Sequence, residues 1–322
     1  MPTSDLTYSR PDSLRDALDR LALAGARPLG GGTDLLTALE EEVEQAAELV
    51  DLRRVPRLDG IEGSAATGLR IGGATRLAAI AANATVRAHW PVLAQACEAV
   101  GTTALRHMGT IGGNLCQRPR CWYLRQGVSC LKSGGDACPA EQGENRYHAI
   151  LGGGPCYVVH PSDPAVALVA LDAVVEIAGA AGTRQAPLEA FFTLPADGVG
   201  RENVLAPGEI VAAITLASGS AGGWQRYEKV MARGAWDFAL ASLAAVRRTD
   251  GDVRLVLGGV APRPWRVDHS VEQDIASGGI GPEDVATLAD RALYDARPLS
   301  GNYYKVTLAA ALLRRAMTDI PT

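Results

Sequence analysis

"PLGGGTDLL", residues 28–36, is the stretch on which the fold turns. The residues just before it, "ARPLG", read as a short strand, and those after Asp34 read as the start of a helix. Three consecutive glycines let the backbone come close to a partner and turn several N–H groups into one concavity, a good cradle for an anion. Thr33 adds a hydroxyl donor, and Asp34 is placed to cap the helix. The spacing fits neither GxGxxG nor GxxxxGK[ST], which removes the usual Rossmann and P-loop readings. A tight strand-to-helix turn is the plainer use of the same residues.

Upstream, "RPDSLRDALDRLALAG" spaces Leu14, Ala17, Leu18, Leu21 and Ala24 along one helical face, with Ser13 or Asp12 to start it and Gly25 to end it. Downstream, "AELVDLRRV" and "LRIGGATRL" read as strands, giving a small βαβ-like N-terminal unit. "TRLAAIAANATVRAHWPVLAQACEAV" is helical in period, with Pro91 breaking it or starting a second helix. A second glycine loop follows, "GTIGGN" at 109–114. Two such loops outside a Rossmann setting suit a ligand with a diphosphate and further polar groups, and a dinucleotide cofactor fits. Beyond it, "CYVVH" reads as a buried strand. "SDPAVALVALDA" opens as a helix, with Ser162 or Asp163 as cap and Pro164 in the first turn. "VVEIAG" and "LAPGEIVAAITL" supply two more strands. From about residue 220 the texture changes: "GWQRYEKVMAR", "DFALASLAAVRR" and "VRLVLGGVAP" read as an antiparallel meander. Helical patterns then close the chain in "YYKVTLAAALLRRAM".

The 322 residues allow two or three domains, and 47% hydrophobic with 21% charged residues is ordinary globular composition. A net charge of −5 without a basic run argues against a nucleic-acid binder. No apolar run approaches the ~18 residues of a membrane span. The first residues lack a charged-then-apolar signal layout, so the expectation is a cytoplasmic protein, or a periplasmic one exported with a signal-bearing partner. His89, His107, His148, His160 and His269 are scattered without metal-ligand spacing and read as structural or surface residues.

Four of the six cysteines crowd into one irregular region: Cys121-x8-Cys130-x7-Cys138-x17-Cys156. Four thiolates are what a [4Fe–4S] cube takes, one to each iron. Zinc competes, although its usual tight C-x2–4-C pair is absent. Disulfides are disfavoured in a reducing compartment. Spacing leaves the choice open, and it also leaves Cys116 as a substitute for Cys156. Cys97 and Cys116 otherwise read as packing residues.

"YSRPDSLRDAL", "PLGGGTDLL", "RHMGTIGGN", "HPSDPAVALVALDA" and "LVLGGVAPRPWR" occur in the order and approximate spacing of one family. The chain resembles the FAD-binding medium subunits of the molybdenum hydroxylases, the group of xanthine dehydrogenase, carbon monoxide dehydrogenase and aldehyde oxidoreductase. The resemblance implies an α+β fold. An FAD-binding domain of two subdomains, of the vanillyl-alcohol oxidase and xanthine dehydrogenase flavoprotein type, would cover 1–219. A C-terminal three-stranded antiparallel sheet with helices would cover 220–322. It implies that Pro28, Leu29, Gly30, Gly31, Gly32, Thr33, Asp34 and Leu35 wrap the FAD diphosphate, with Thr110, Gly113 and Asn114 from the second loop. Asp163 would lie against the ribityl region, Leu205 beside the flavin ring and Lys229 near its polar edge. The plainer alternatives are a helix cap for Asp163 and a solvated strand position for Lys229.

Most of that family joins the second loop to the "SD" helix directly, whereas this chain inserts about forty residues, roughly 117–157, around its cysteines. A structureless loop of that length is uncommon unless functional or disordered. The insertion resembles those of 4-hydroxybenzoyl-CoA reductase and of a periplasmic aldehyde oxidoreductase. "QRPRCWYLR" and "GENRYHAILG" are closer to the second. The resemblance implies Cys121, Cys130, Cys138 and Cys156 as ligands of a [4Fe–4S] cluster. It also implies a subunit without catalytic residues of its own, which passes electrons through FAD to a terminal acceptor. Its partners would be a large molybdenum-cofactor subunit and a small [2Fe–2S] subunit. A non-redox protein with a structural zinc is the reading of another class.

Overall fold

Ser13 accepts a hydrogen bond from the Asp16 N–H at 3.1 Å and starts the first helix, α1 (Leu14–Leu21), whose Ala17 and Leu21 are buried. This cap and apolar spacing lay the helix against a three-stranded parallel sheet of β1 (Thr7–Ser9), β2 (Ala26–Leu29) and β3 (Glu48–Asp51), in the order β1-β3-β2. A second helix, α2 (Leu35–Glu40), connects β2 to β3. The three-glycine loop is therefore the turn at the carboxyl end of β2. That is where open parallel sheets bind ligands, because the following helix presents free N–H groups there. The structure is a computed structural model and describes residues 6–278 and 281–321.

A five-stranded sheet forms the second layer from β4 (Ile61–Ser64), β5 (Gly68–Gly72), β6 (Val174–Gly179), β7 (Gly182–Pro187) and β8 (Ile210–Leu216). Its order is β4-β5-β8-β6-β7, with every pairing antiparallel. Between β5 and β6 the chain runs through α3 (Leu77–Ala82), α4 (Ala84–His89), α5 (Pro91–Glu98), α6 (Thr103–Met108), α7 (Ile111–Leu115), α8 (Trp122–Arg125) and α9 (Asp163–Ala170). Pro91 begins α5, where its missing N–H costs nothing. Ser162, not Asp163, caps α9 by accepting from the Ala165 N–H at 3.1 Å. Every residue of α9 is buried.

The meander is β9 (Trp224–Val230), β10 (Ala241–Arg247) and β11 (Val253–Gly258). A two-residue strand, β12 (Trp265–Arg266), adds a fourth to the three expected and sets the order β12-β11-β10-β9. The helices α10 (His269–Ser277), α11 (Pro282–Ala292) and α12 (Tyr304–Asp319) cover it. Tyr227, Ala244, Val246 and Val256 from this sheet join the same core as Leu168, Val175 and Ile214 from the earlier layers, so hydrophobic burial runs across residue 220. Among the described residues no helix is long and apolar enough to cross a membrane.

"CYVVH" is not a strand. Residues 156–160 are extended, but Tyr157 accepts from the Ala149 N–H at 2.8 Å and His160 donates to Ala261 O at 2.9 Å, each a single bond with no continuous partner. The strands β1, β4 and β7 are too short or too polar to stand out in the sequence.

The inserted segment is ordered from both sides. It folds into α8 and two single 3-10 turns, Leu131–Ser133 and Pro139–Glu141. Lys132 Nζ donates to Val199 O and to Glu202 Oε1, both at 2.7 Å. Asn145 Nδ2 donates to Ala140 O and Ser300 Oγ, while its Oδ1 accepts from the Gly301 N–H at 2.8 Å. Buried Lys305, on α12, donates to Tyr147 O at 2.9 Å and Gly259 O at 2.7 Å. Polar anchors thus do the work that an apolar core does elsewhere.

Candidate functional site

The two glycine loops touch. A Cβ on Gly30 would lie 2.5 Å from Thr110 Oγ1, and one on Gly31 would lie 1.9 Å from Met108 O. Gly32 adopts φ +74°, a conformation that side-chain-bearing residues rarely take. Glycine is thus required for loop-to-loop contact and for one left-handed turn. The second loop is fixed by the Ile111 N–H to Thr75 O at 2.9 Å, the Gly112 N–H to Gly73 O at 2.8 Å, and Thr110 Oγ1 accepting from the Gly113 N–H at 3.3 Å. Its donors are spent on the protein. Those of the first loop are not: among the described residues the N–H groups of Gly31, Gly32 and Thr33 reach no protein acceptor.

Both loops open onto one cavity of about 720 Å³. All of the sequence-nominated cofactor residues line it except Leu29. The side chain of Leu29 is buried in the core, because strand alternation turns it to the face opposite Pro28. Asn114 accepts from Ser162 Oγ–H at 2.5 Å through its Oδ1 and keeps its amide donors for the cavity.

On the far wall Asp163 accepts from Tyr227 Oη–H at 2.6 Å and from Lys229 Nζ at 2.8 Å. Lys229 also donates to Ala99 O at 2.9 Å, and its side chain is 4% exposed, so it is no solvated strand lysine. Burial pushes the Asp163 carboxyl up, against the pull of Lys229 and then Tyr227. Burial and the Asp163 charge push the Tyr227 hydroxyl well above its ordinary value. The triad thus keeps a proton on Tyr227, with a charge pair beneath it. Sequence reasoning missed Tyr227. It alternates with Lys229 on β9, which puts both on one face.

The cysteine-rich segment forms the adjoining wall. Cys156 hydrogen-bonds to Cys138 and, with N–H groups of Tyr157, Ala140 and Glu141, holds the Cys138 thiol down at about 6; burial opposes this. Burial, and then nearby Cys138 and Cys130, push the Cys121 thiol up, against the N–H groups of Leu124 and Tyr123. Cys121 Sγ lies 3.3 Å from His148 Nε2. Cys130 is buried, with Ser133 Oγ–H 3.5 Å from its Sγ. Cys116 lies apart on the cavity wall, where burial pushes its thiol up to about 12. Cys97 is fully buried in the core. The structure therefore brings Cys121, Cys130, Cys138 and Cys156 into one neighbourhood and leaves the other two out.

Burial lowers His148 to about 4, helped by Lys305, and lowers His160 likewise, so both imidazoles are neutral at pH 7. A second cavity of about 450 Å³ has both histidines, Cys121 and Asp163 in its wall. No spacing in the sequence singles these histidines out.

Free N–H donors on a glycine turn, an amide and a buried ion pair around one long cavity are a donor set that fits a diphosphate joined to a polar ring system. The chain belongs to the FAD-binding medium subunits of the molybdenum hydroxylase family: residues 4–217 match the family described as the FAD binding domain in molybdopterin dehydrogenase. It is 36% identical over 318 residues, 97% of each chain, to the aldehyde oxidoreductase FAD-binding subunit PaoB of Escherichia coli (strain K12). It is 26% identical, over 98% of each chain, to the glyceraldehyde dehydrogenase medium chain of Sulfolobus acidocaldarius. In fold it is similar to carbon monoxide dehydrogenase from Hydrogenophaga pseudoflava, with a TM-score of 0.76, 24% identity and coverage of 99% of this chain and 98% of that one.

Proposed function

We propose that this chain is the electron-transfer subunit of a molybdenum-dependent aldehyde oxidoreductase of three different subunits. It holds FAD in the 720 Å³ cavity and a [4Fe–4S] cluster on Cys121, Cys130, Cys138 and Cys156. The observation that carries the enzyme class is the 36% identity, end to end, with a subunit named for aldehyde oxidoreductase. The large molybdenum subunit and the small [2Fe–2S] subunit are the partners this reading requires, and a terminal acceptor takes the electrons.

Bound here, FAD supplies an exchange of one or two electrons between single-electron centres and an acceptor. The chain's own residues bind and tune. The first loop offers its unspent N–H groups to the diphosphate, and Asn114 offers its amide. Leu205 excludes water, while Lys229 keeps a positive charge at the cavity wall and Asp163 holds that ammonium in place. A proton stays on Tyr227 Oη.

The cluster reading is supported by the gathering of the four thiols. Among the described residues no three ligating side chains close on a point as a single ion needs. A cube spaces its four ligands further apart than one zinc does. The test is an anaerobic visible spectrum with iron, zinc and flavin analysis on the assembled complex, in wild type and in Cys130→Ser. The expected difference is a loss of about four irons with FAD retained. Unchanged iron, or zinc in its place, removes the cluster. Aldehyde-dependent dye reduction by the same preparation tests the substrate class.

A further inference from the structure

We infer that the cysteine segment is a structural part of the FAD site, with Asp34 as the residue that positions it. The inference rests on FAD binding and not on the cluster. Asp34 stands between the three glycines and α2, where an aspartate would be expected to cap the helix, yet its side chain makes no cap bond. Its carboxylate is turned to the insertion instead. Oδ2 accepts from the Arg118 N–H at 2.8 Å, and Oδ1 accepts from Arg125 Nη2 at 3.0 Å and pairs with Arg120 Nη2 at 2.8 Å. These three residues flank Cys121.

Neighbouring acids extend the same clamp. Arg125 reaches Glu41 Oε2 at 2.8 Å, and Arg118 pairs with Glu44 at 3.1 Å and with Glu202 at 3.5 Å. Lys132, further along the insertion, takes the other oxygen of Glu202 at 2.7 Å. Arg118 and Arg120 line the cavity beside the glycine loop, whereas Arg125 stands behind it, 8% exposed.

A bare carboxylate at that turn would repel the anion its N–H groups are free to bind. The arginines neutralise it, and by lining the cavity they add positive charge. The segment carrying Cys121 therefore turns the first loop into an anion site. The coupling is reciprocal: the insertion in place favours FAD, and FAD favours the insertion in place.

The experiment measures FAD dissociation, by the fluorescence of released flavin, and proteolysis within 118–157, on complexes co-expressed with their partners. Arg125→Met does not remove a cavity-lining group. It should weaken FAD binding about fivefold or more, the scale of a partly buried ion pair, and speed cleavage of the segment. Arg125→Lys should keep both near wild type. Adding Asp34→Asn to Arg125→Met should restore most of the FAD affinity while cleavage stays fast, an outcome that mere loosening of the fold does not produce. Flavin held equally tightly in Arg125→Met, or no recovery on adding Asp34→Asn, overturns the inference alone. A wild-type complex without flavin overturns the FAD reading, and the inference with it.

Discussion

Lys229 and Asp163 are two side chains that each need the other. Their side chains are 4% and 6% exposed, and removing one leaves the other charged and buried. Breaking such a pair costs about 3 kcal/mol or more, whereas replacing both by neutral groups costs less. Lys229→Met should therefore lower the melting temperature and weaken FAD binding. The double variant Asp163→Asn/Lys229→Met should recover part of the stability without recovering the flavin. Thermal unfolding beside flavin content separates the two effects, and a Lys229→Met protein as stable as wild type would contradict the buried pair. Both residues were nominated from sequence through resemblance alone. Burial and the Tyr227 hydroxyl, which decide their chemistry, depend on β9 and α9 meeting, and no local pattern reports that contact.

The glycine loops show what can be read from an element and what cannot. Their composition announced a close approach, and the sequence placed it at a ligand. In the fold, Gly31 is needed because the backbone at Met108 passes beneath it. Gly31→Ala would press a methyl group onto a backbone carbonyl that has little room to move. About 1–3 kcal/mol of stability should be lost as the loops part, with a larger fractional loss of FAD. Gly219→Ala, with nothing within 4 Å of the added Cβ, is the matched control and should be neutral. Melting temperature and bound flavin of the two variants check this. Caps and periods located α1, α5 and α9, and alternation located β9 to β11. The same alternation suggested a strand at "CYVVH", where no neighbouring strand exists to complete a ladder. The insertion was legible only as cysteines, since single polar anchors from distant segments give it shape.

Across the whole molecule, the least ordinary of those anchors is Lys305. It sits 1% exposed on α12, and burial alone brings its ammonium down to about 7. Its ordinary value is near 10.5, so between pH 7 and 10.5 the unfolded chain binds more protons than the folded one. Stability from this group therefore rises with pH across that window, and the cost of burying the charge is in full force below pH 7. Wild type should gain on the order of 1–2 kcal/mol between pH 7 and 9 relative to Lys305→Met, in which this dependence is gone. Unfolding of both proteins at the two pH values measures the difference, and parallel pH slopes would refute the buried ammonium.

Helix α9 bears on how such a subunit can be inherited. Enclosed on every side, it is shared by the part of the chain before residue 220 and the sheet that follows. A Cβ on Gly258 of β11 would meet Val166 Cγ2 at 2.5 Å. Recombination that joined the front of this chain to the back of a divergent relative would set one surface of α9 against a sheet shaped for another. Chimaeras cut near residue 220 should fail unless these facing residues travel together. Genes for this subunit are thus expected to pass between lineages whole.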